Sequence, residues 1–233
     1  MRLLVVTAVT AERDACARGL PGSGQAGLPA YPDAVDCGRV TVLPGGVGPA
    51  AAGAATATAL ACARAAGRPY ELVVSAGIGG GFPGVAPVGG LVLASEIVAA
   101  DLGADSPDGF LPLDVLGFGP VRHAADPGLT GRAAAALRAA GVVAVTGPVL
   151  TVSTVTGTAA GAHALARRYP GAAAEGMEGF GVATAARAHG VPVLEVRAIS
   201  NPVGPRDRAT WRIREALDVL ATAVPVLVKE FGT

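Results

Sequence analysis

"EVRAISNPVG", residues 195–204, closes an apolar run with Ser200 and Asn201 and stops it with Pro202. The run at 192–199 reads as a buried strand, and similar Val-rich runs bounded by Gly or Pro stand at 2–9, 39–44, 71–76, 90–98 and 144–152. None alternates strictly between apolar and polar, which predicts a sheet covered on both faces. Helical patterns fill the intervals at 11–20, 49–66, 128–140, 158–168, 178–189 and 207–230. That order predicts an α/β fold, a three-layer αβα sandwich. In such sheets a ligand lies beyond the carboxyl ends of the strands, so the polar residues that follow each run become the candidates for chemistry.

The 233 residues carry no linker-like stretch and read as a single domain, 1–233. Formal net charge is zero and the basic residues are scattered, which argues against nucleic acid and against an anionic membrane as partners. Gly, Pro, Thr and Arg interrupt every apolar run well short of the roughly 20 residues of a membrane span. Met1-Arg2 leads into an apolar run too short for a secretory signal, so a cytoplasmic protein with a small-molecule partner is expected. Cys16, Cys37 and Cys62 lack disulfide or zinc spacing and read as small buried hydrophobes. His123, His163 and His189 are dispersed, with no nucleophile motif beside them.

Five segments place polar or glycine residues after strands. "TAVTAERD" (7–14) puts Glu12 and Asp14 in the first turn of a helix, where acids also serve the macrodipole. "PGGVGPAAAG" (44–53) fits the weak dinucleotide pattern, but the next strand ends without the acid a ribose would need. The two glycines there read as letting a helix start close to the sheet. "SAGIGGGFPG" (75–84) reads as a glycine loop that allows backbone approach to a ligand, and no cation stands between Arg68 and Arg122 to hold a phosphate. "TVSTVTGTAA" (151–160) is rich in hydroxyls, which cap helices readily. "AEGMEGFGVATAA" (174–186) crowds glycines around Glu175, Met177 and Glu178. A carboxylate beside a thioether suits a sugar, accepting from hydroxyls while sulfur packs on the ring.

Taken in order, "SAGIGGGFPG", "AEGMEGFGVA" and "RAISNPVGPRD" resemble the nucleoside phosphorylase/nucleosidase superfamily, in the branch of the 5′-methylthioadenosine/S-adenosylhomocysteine nucleosidases. The resemblance spans nearly the whole chain. It implies a nucleoside phosphorylase-like fold with a mixed central sheet, cleavage of a nucleoside N-glycosidic bond, no metal or organic cofactor, and a homo-oligomer in which a neighbouring subunit closes the 5′ end of the site. It implies catalytic roles for Glu12, as the base that activates water, and for Asn201. It implies substrate binding by Ser75 and Gly77, by the Met177-Glu178 pair on the ribose, and by Ser200. Arg206 is a candidate for an anionic group on the 5′ side of the substrate.

One departure shapes the substrate expectation. The nucleosidases of this branch have an aspartate that protonates N7 of adenine, and Asn201 stands in that position. When the leaving group is hypoxanthine, charge spreads onto O6 as well as N7, and neutral donors can stabilise it. An amide therefore predicts hypoxanthine over adenine. Phosphorylases of the superfamily place an arginine before the glycine loop, where this chain has Ser75-Ala76-Gly77, so water is the expected nucleophile. The alternatives are an adenine nucleosidase, a 6-oxopurine phosphorylase, and a dinucleotide-binding protein built on "GGVGPAA".

Overall fold

The computed structural model describes residues 1–22 and 24–232. Its strands are β1 (Leu3–Thr7), β2 (Gly24–Gln25), β3 (Val35–Cys37), β4 (Val40–Pro44), β5 (Leu72–Gly81), β6 (Leu91–Ala99), β7 (Gly103–Ala104), β8 (Leu111–Pro112), β9 (Arg122–Ala124), β10 (Ala144–Thr151), β11 (Ala174–Gly176) and β12 (Val193–Pro202). Its helices are α1 (Thr10–Ala17), α2 (Pro49–Ala65), α3 (Pro127–Ala139), α4 (Ala159–Arg168), α5 (Gly179–Ala188) and α6 (Ile213–Phe231). The main sheet runs β11-β10-β6-β12-β5-β1-β4-β3-β2, with β9 pairing β6 at its side. It is mixed: β12 lies parallel to β5 and antiparallel to β6. β11 also pairs β5, so the path β5-β12-β6-β10-β11 closes on itself.

Alternate residues of β1 explain the layers. Leu3 and Val5 enter a core with Ala15 and Cys16 of α1, Leu137 of α3 and Leu220 and Leu227 of α6. Leu4 and Val6 enter the opposite core with Ala52, Ala55 and Ala59 of α2 and Val182 and Ala186 of α5. A strand buried on both faces has no polar side to show, which is why its sequence does not alternate. Helices therefore cover both faces. Gly181 lets α5 lie against α2, since a Cβ there would stand 1.9 Å from Pro49 O. Among the described residues no helix is long and apolar enough to cross a membrane.

Several local readings change. "SAGIGGG" is not a loop: β5 runs through it to Gly81. Likewise β12 continues through Ser200 and Asn201 to Pro202, with its register shifting between Ile199 and Asn201. Glu175 lies in a short strand, β11, that precedes α5. The last helix starts at Ile213, because a short 3₁₀ turn (Arg208–Thr210) precedes it and the Arg212 N–H is held by Ser200 O at 2.7 Å. Cys16 and Cys37 are buried, whereas Cys62 is exposed on α2.

Candidate active site

The carboxyl ends of β1, β5 and β12 converge on a cavity of about 230 Å³. Glu12, Met177, Glu178, Ser200 and Asn201 all line it, together with Val9, Val47, Ile78, Gly80, Val155, Glu175 and Trp211. A larger hollow of about 610 Å³ beside α6 is lined by none of the sequence-predicted site residues.

Glu12 enters from the first turn of α1 and is 4% exposed. Its Oε1 accepts from Ile78 N–H at 2.8 Å, and its Oε2 accepts from Ala8 N–H at 2.9 Å and Val9 N–H at 3.3 Å. Burial pushes its carboxyl above the ordinary carboxylate value, against the pull of the Ile78 N–H and of Arg197. A carboxyl raised in this way holds a proton more readily than an exposed one, which suits a group asked to take one from water. Asp14 differs: it is exposed and pairs with Arg13 at 2.6 Å.

Glu178 sits at the start of α5 but does not cap it. Its Oε1 accepts from Gly48 N–H at 3.2 Å, so the loop read as a helix spacer also holds this carboxylate. Its Oε2 accepts from Arg197 Nη1 at 2.9 Å and from Met177 N–H at 3.3 Å. With both oxygens anchored, Glu178 is oriented before any ligand arrives, and its free lone pairs can accept from sugar hydroxyls.

Asn201 has a determined orientation. Its Nδ2 stands 2.9 Å from Pro202 O, which can only accept, so that atom is the amide nitrogen. Its Oδ1 accepts from Ser200 Oγ at 2.7 Å. One Nδ2 hydrogen and one Oδ1 lone pair are left uncommitted in a group that lines the cavity.

Arg197 escaped the sequence reading. It is 2% exposed and lies under the cavity floor, paired with Glu178 and, through Nε at 2.8 Å, with Glu195 Oε1. Burial pushes the Glu195 carboxyl up and Arg197 opposes it. The signal was present: Glu195 and Arg197 are two apart in a buried strand, so they share a face and must find partners.

Ser75 and Gly77 are corrected. Neither lines the cavity; Ser75 Oγ faces Arg197 Nη2 at 3.4 Å. A Cβ at Gly77 would stand 2.7 Å from Arg197 Nη1 and 2.9 Å from Glu12 Oε1. One at Gly176 would meet Arg197 Cζ at 2.8 Å. Both glycines make room for the buried guanidinium; Gly77 also clears the Glu12 carboxylate, and Gly176 lines the cavity as well. Arg206 is exposed and does not line the cavity; its guanidinium lies over Trp211, 5.8 Å from the ring centre, and Trp211 reaches the cavity in its stead.

Comparison with known proteins gives the family and the fold. The family model described as "Phosphorylase superfamily" matches residues 28–231. The chain is 59% identical over 230 residues to a futalosine hydrolase of Streptomyces coelicolor, covering 96% of this chain and 94% of that protein. It is 48% identical to a futalosine hydrolase of Acidothermus cellulolyticus, covering 97% and 90%. Among solved structures, a 5′-methylthioadenosine/S-adenosylhomocysteine nucleosidase from Neisseria meningitidis in complex with methylthio-immucillin-A superposes with a TM-score of 0.82 at 20% identity, over 98% of each chain. The futalosine hydrolase of Helicobacter pylori gives 0.79 at 18% identity, over 99% and 98%. At these identities the two structures speak for the fold, a mixed sheet with helices on both sides. The superfamily model and the two near full-length relatives place the sequence itself: the chain belongs to the phosphorylase superfamily and, within it, to the futalosine hydrolase family of nucleosidases.

Proposed function

We propose that the protein hydrolyses the N-glycosidic bond of futalosine to hypoxanthine and dehypoxanthine futalosine, a step of the futalosine route to menaquinone, in the cytoplasm. The observation that carries the reading is the cavity that joins buried Glu12 to the locked Asn201 amide. The 59% identity to a protein of that name supports it.

In this reading Glu178 holds the ribose hydroxyls and Met177 packs on the sugar. Glu12 takes a proton from water as its oxygen bonds to C1′; the C1′–N9 bond breaks, and its electron pair passes to the purine. The Asn201 Nδ2–H stabilises that charge at O6 or N7, and the base later gains a proton from solvent. Phosphate is disfavoured as the nucleophile: no Lys or Arg lines the cavity among the described residues, and Arg197 is already paired with two carboxylates. The 5′ end of the substrate would be closed by a second copy of the chain; exposed Val115 and Phe118, 69% and 77% accessible, offer apolar surface for a homo-oligomer.

Hypoxanthine release from purified protein and futalosine tests the reaction, and its absence removes the reading. Asn201→Asp tests the base contact. A carboxylate there loses the fixed N–H that Asn201 offers a 6-oxopurine and, when protonated, supplies an acid that N7 can take in place of Pro202 O. Futalosine kcat/KM should fall by about 10²-fold, with the 6-amino analogue gaining relative to it. An unchanged preference would mean that the base is read elsewhere.

A further inference from the structure

Glu175 is left without a task by the scheme above, although it lines the cavity and is only 4% exposed. It registers against Gly80 of β5, and Asn201 of β12 registers against the same Gly80 from the other side. The two side chains thus flank Gly80, their Cα atoms about 10 Å apart across two strand spacings, and all three residues line the cavity. Val203 Cγ2 would stand 3.0 Å from a Cβ at Gly80, so a flat ring between the two side chains would lie in the cavity beside this glycine.

Resting on the futalosine reading, we propose that Glu175 is a specificity-determining residue of the base subsite, accepting the N1–H of a 6-oxopurine. Its Oε1 accepts from Thr156 N–H at 2.9 Å and its Oε2 from the Thr156 hydroxyl. An ionised carboxylate has about four acceptor positions, so two remain for a ligand. No Lys or Arg forms an ion pair with it among the described residues. Burial pushes its carboxyl up and the Thr156 donors act against that; an N1–H donor would act in the same direction as Thr156.

The chemistry separates the two purines at neighbouring atoms. Hypoxanthine carries O6 as an acceptor and N1–H as a donor, whereas adenine carries an amino donor and a bare N1 lone pair. A purine whose O6/N7 edge meets Asn201 presents N1 on the adjoining edge. Against adenine, Glu175 would set a carboxylate opposite a lone pair, which repels and leaves a buried acceptor unmatched. Asn201 alone could turn its amide to suit either base, but Ser200 and Pro202 hold it. Two fixed groups that both invert between the bases give more discrimination than one.

The test uses Glu175→Gln and Thr156→Val with futalosine and its 6-amino analogue. In Glu175→Gln the amide keeps both Thr156 contacts, with the hydroxyl turned to accept, but it can present N–H to the base. The kcat/KM ratio of the 6-oxo over the 6-amino substrate should shrink by about 10²-fold. Thr156→Val loosens the segment while leaving the carboxylate, and its ratio should stay near that of the wild type. A wild-type ratio in Glu175→Gln overturns the proposal, as does an equal loss in both variants, which would make Glu175 a mere anchor of residues 153–158. Calorimetry on the wild type needs no variant to fold: hypoxanthine should bind about 10²-fold tighter than 1-methylhypoxanthine, and equal affinity overturns the contact. Inactivity of the wild type toward futalosine would strike the proposed function, while the calorimetric comparison still decides the role of Glu175.

Discussion

Glu12→Gln should lower turnover of futalosine about 10³-fold while a non-hydrolysable analogue still binds. Three main-chain N–H groups converge on the two carboxylate oxygens, from Ala8, Val9 and Ile78. They fix the base in place and demand an acceptor at both oxygens, which an amide cannot supply. Because burial raises the carboxyl, the wild-type kcat/KM should climb with pH on an acid limb centred above 4.5, and that limb should vanish from the residual rate of the variant. The same shift has a stability sign. A carboxyl whose folded value lies above its unfolded one contributes fully below the unfolded value and loses that contribution as pH rises through the folded one. The difference in Tm between wild type and variant should therefore move in favour of the wild type as pH falls from 7 towards 4.5. Full turnover in the variant would remove Glu12 from the mechanism.

Arg197→Met should cost about 3–5 kcal/mol and lower Tm by roughly 10 °C, because it strands two buried carboxylates. Glu195 is 1% exposed, and its Oε2 has no hydrogen-bond partner among the described residues. Glu178 would lose its 2.9 Å contact, though water in the cavity can reach it. Turnover should fall too, since the ribose clamp loses its anchor. The double change Arg197→Met with Glu195→Met tests which loss is which. An apolar pair in place of a buried ion pair is often neutral or stabilising, so most of the Tm should return while activity does not. Recovery of both would reduce Arg197 to a structural part, and an unchanged Tm in the single variant would contradict the burial argument.

These two residues mark the limits of what the sequence disclosed. The six long strands and six helices were legible, because each runs long enough to show a period or to be bounded by Gly and Pro. β2, β3, β7, β8, β9 and β11 are two or three residues long and carry no period. The strand signal of β5 stops at 76 because Gly-rich sequence has poor strand propensity; pairing with β12 and β11 holds it extended to Gly81. Glu12, Met177, Glu178, Ser200 and Asn201 were found through the order of their segments, and they do meet in one cavity. Ser75 and Gly77 follow from the resemblance, and Gly77 also from the loop-like composition of a stretch that is strand; neither lines the cavity. Arg197 lies inside β12 rather than at its carboxyl end and serves the cavity from beneath. Val47, Val155 and Trp211 line the cavity from segments with no chemical signature, so only folding reveals them.

The long-range wiring of this site bears on how the chain folds. Glu12 reaches Ile78 across 66 positions, and Arg197 reaches Ser75 across 122. Contacts so far apart in sequence form late, after the entropy of closing the intervening chain has been met. β12 must slot between β5 and β6 before Arg197 or Asn201 stands anywhere near Glu12. A nascent or nicked chain lacking that strand holds no partial catalyst. Turnover in this enzyme is accordingly a reporter of completed folding, with the last core strand to be synthesised acting as the one that arms it.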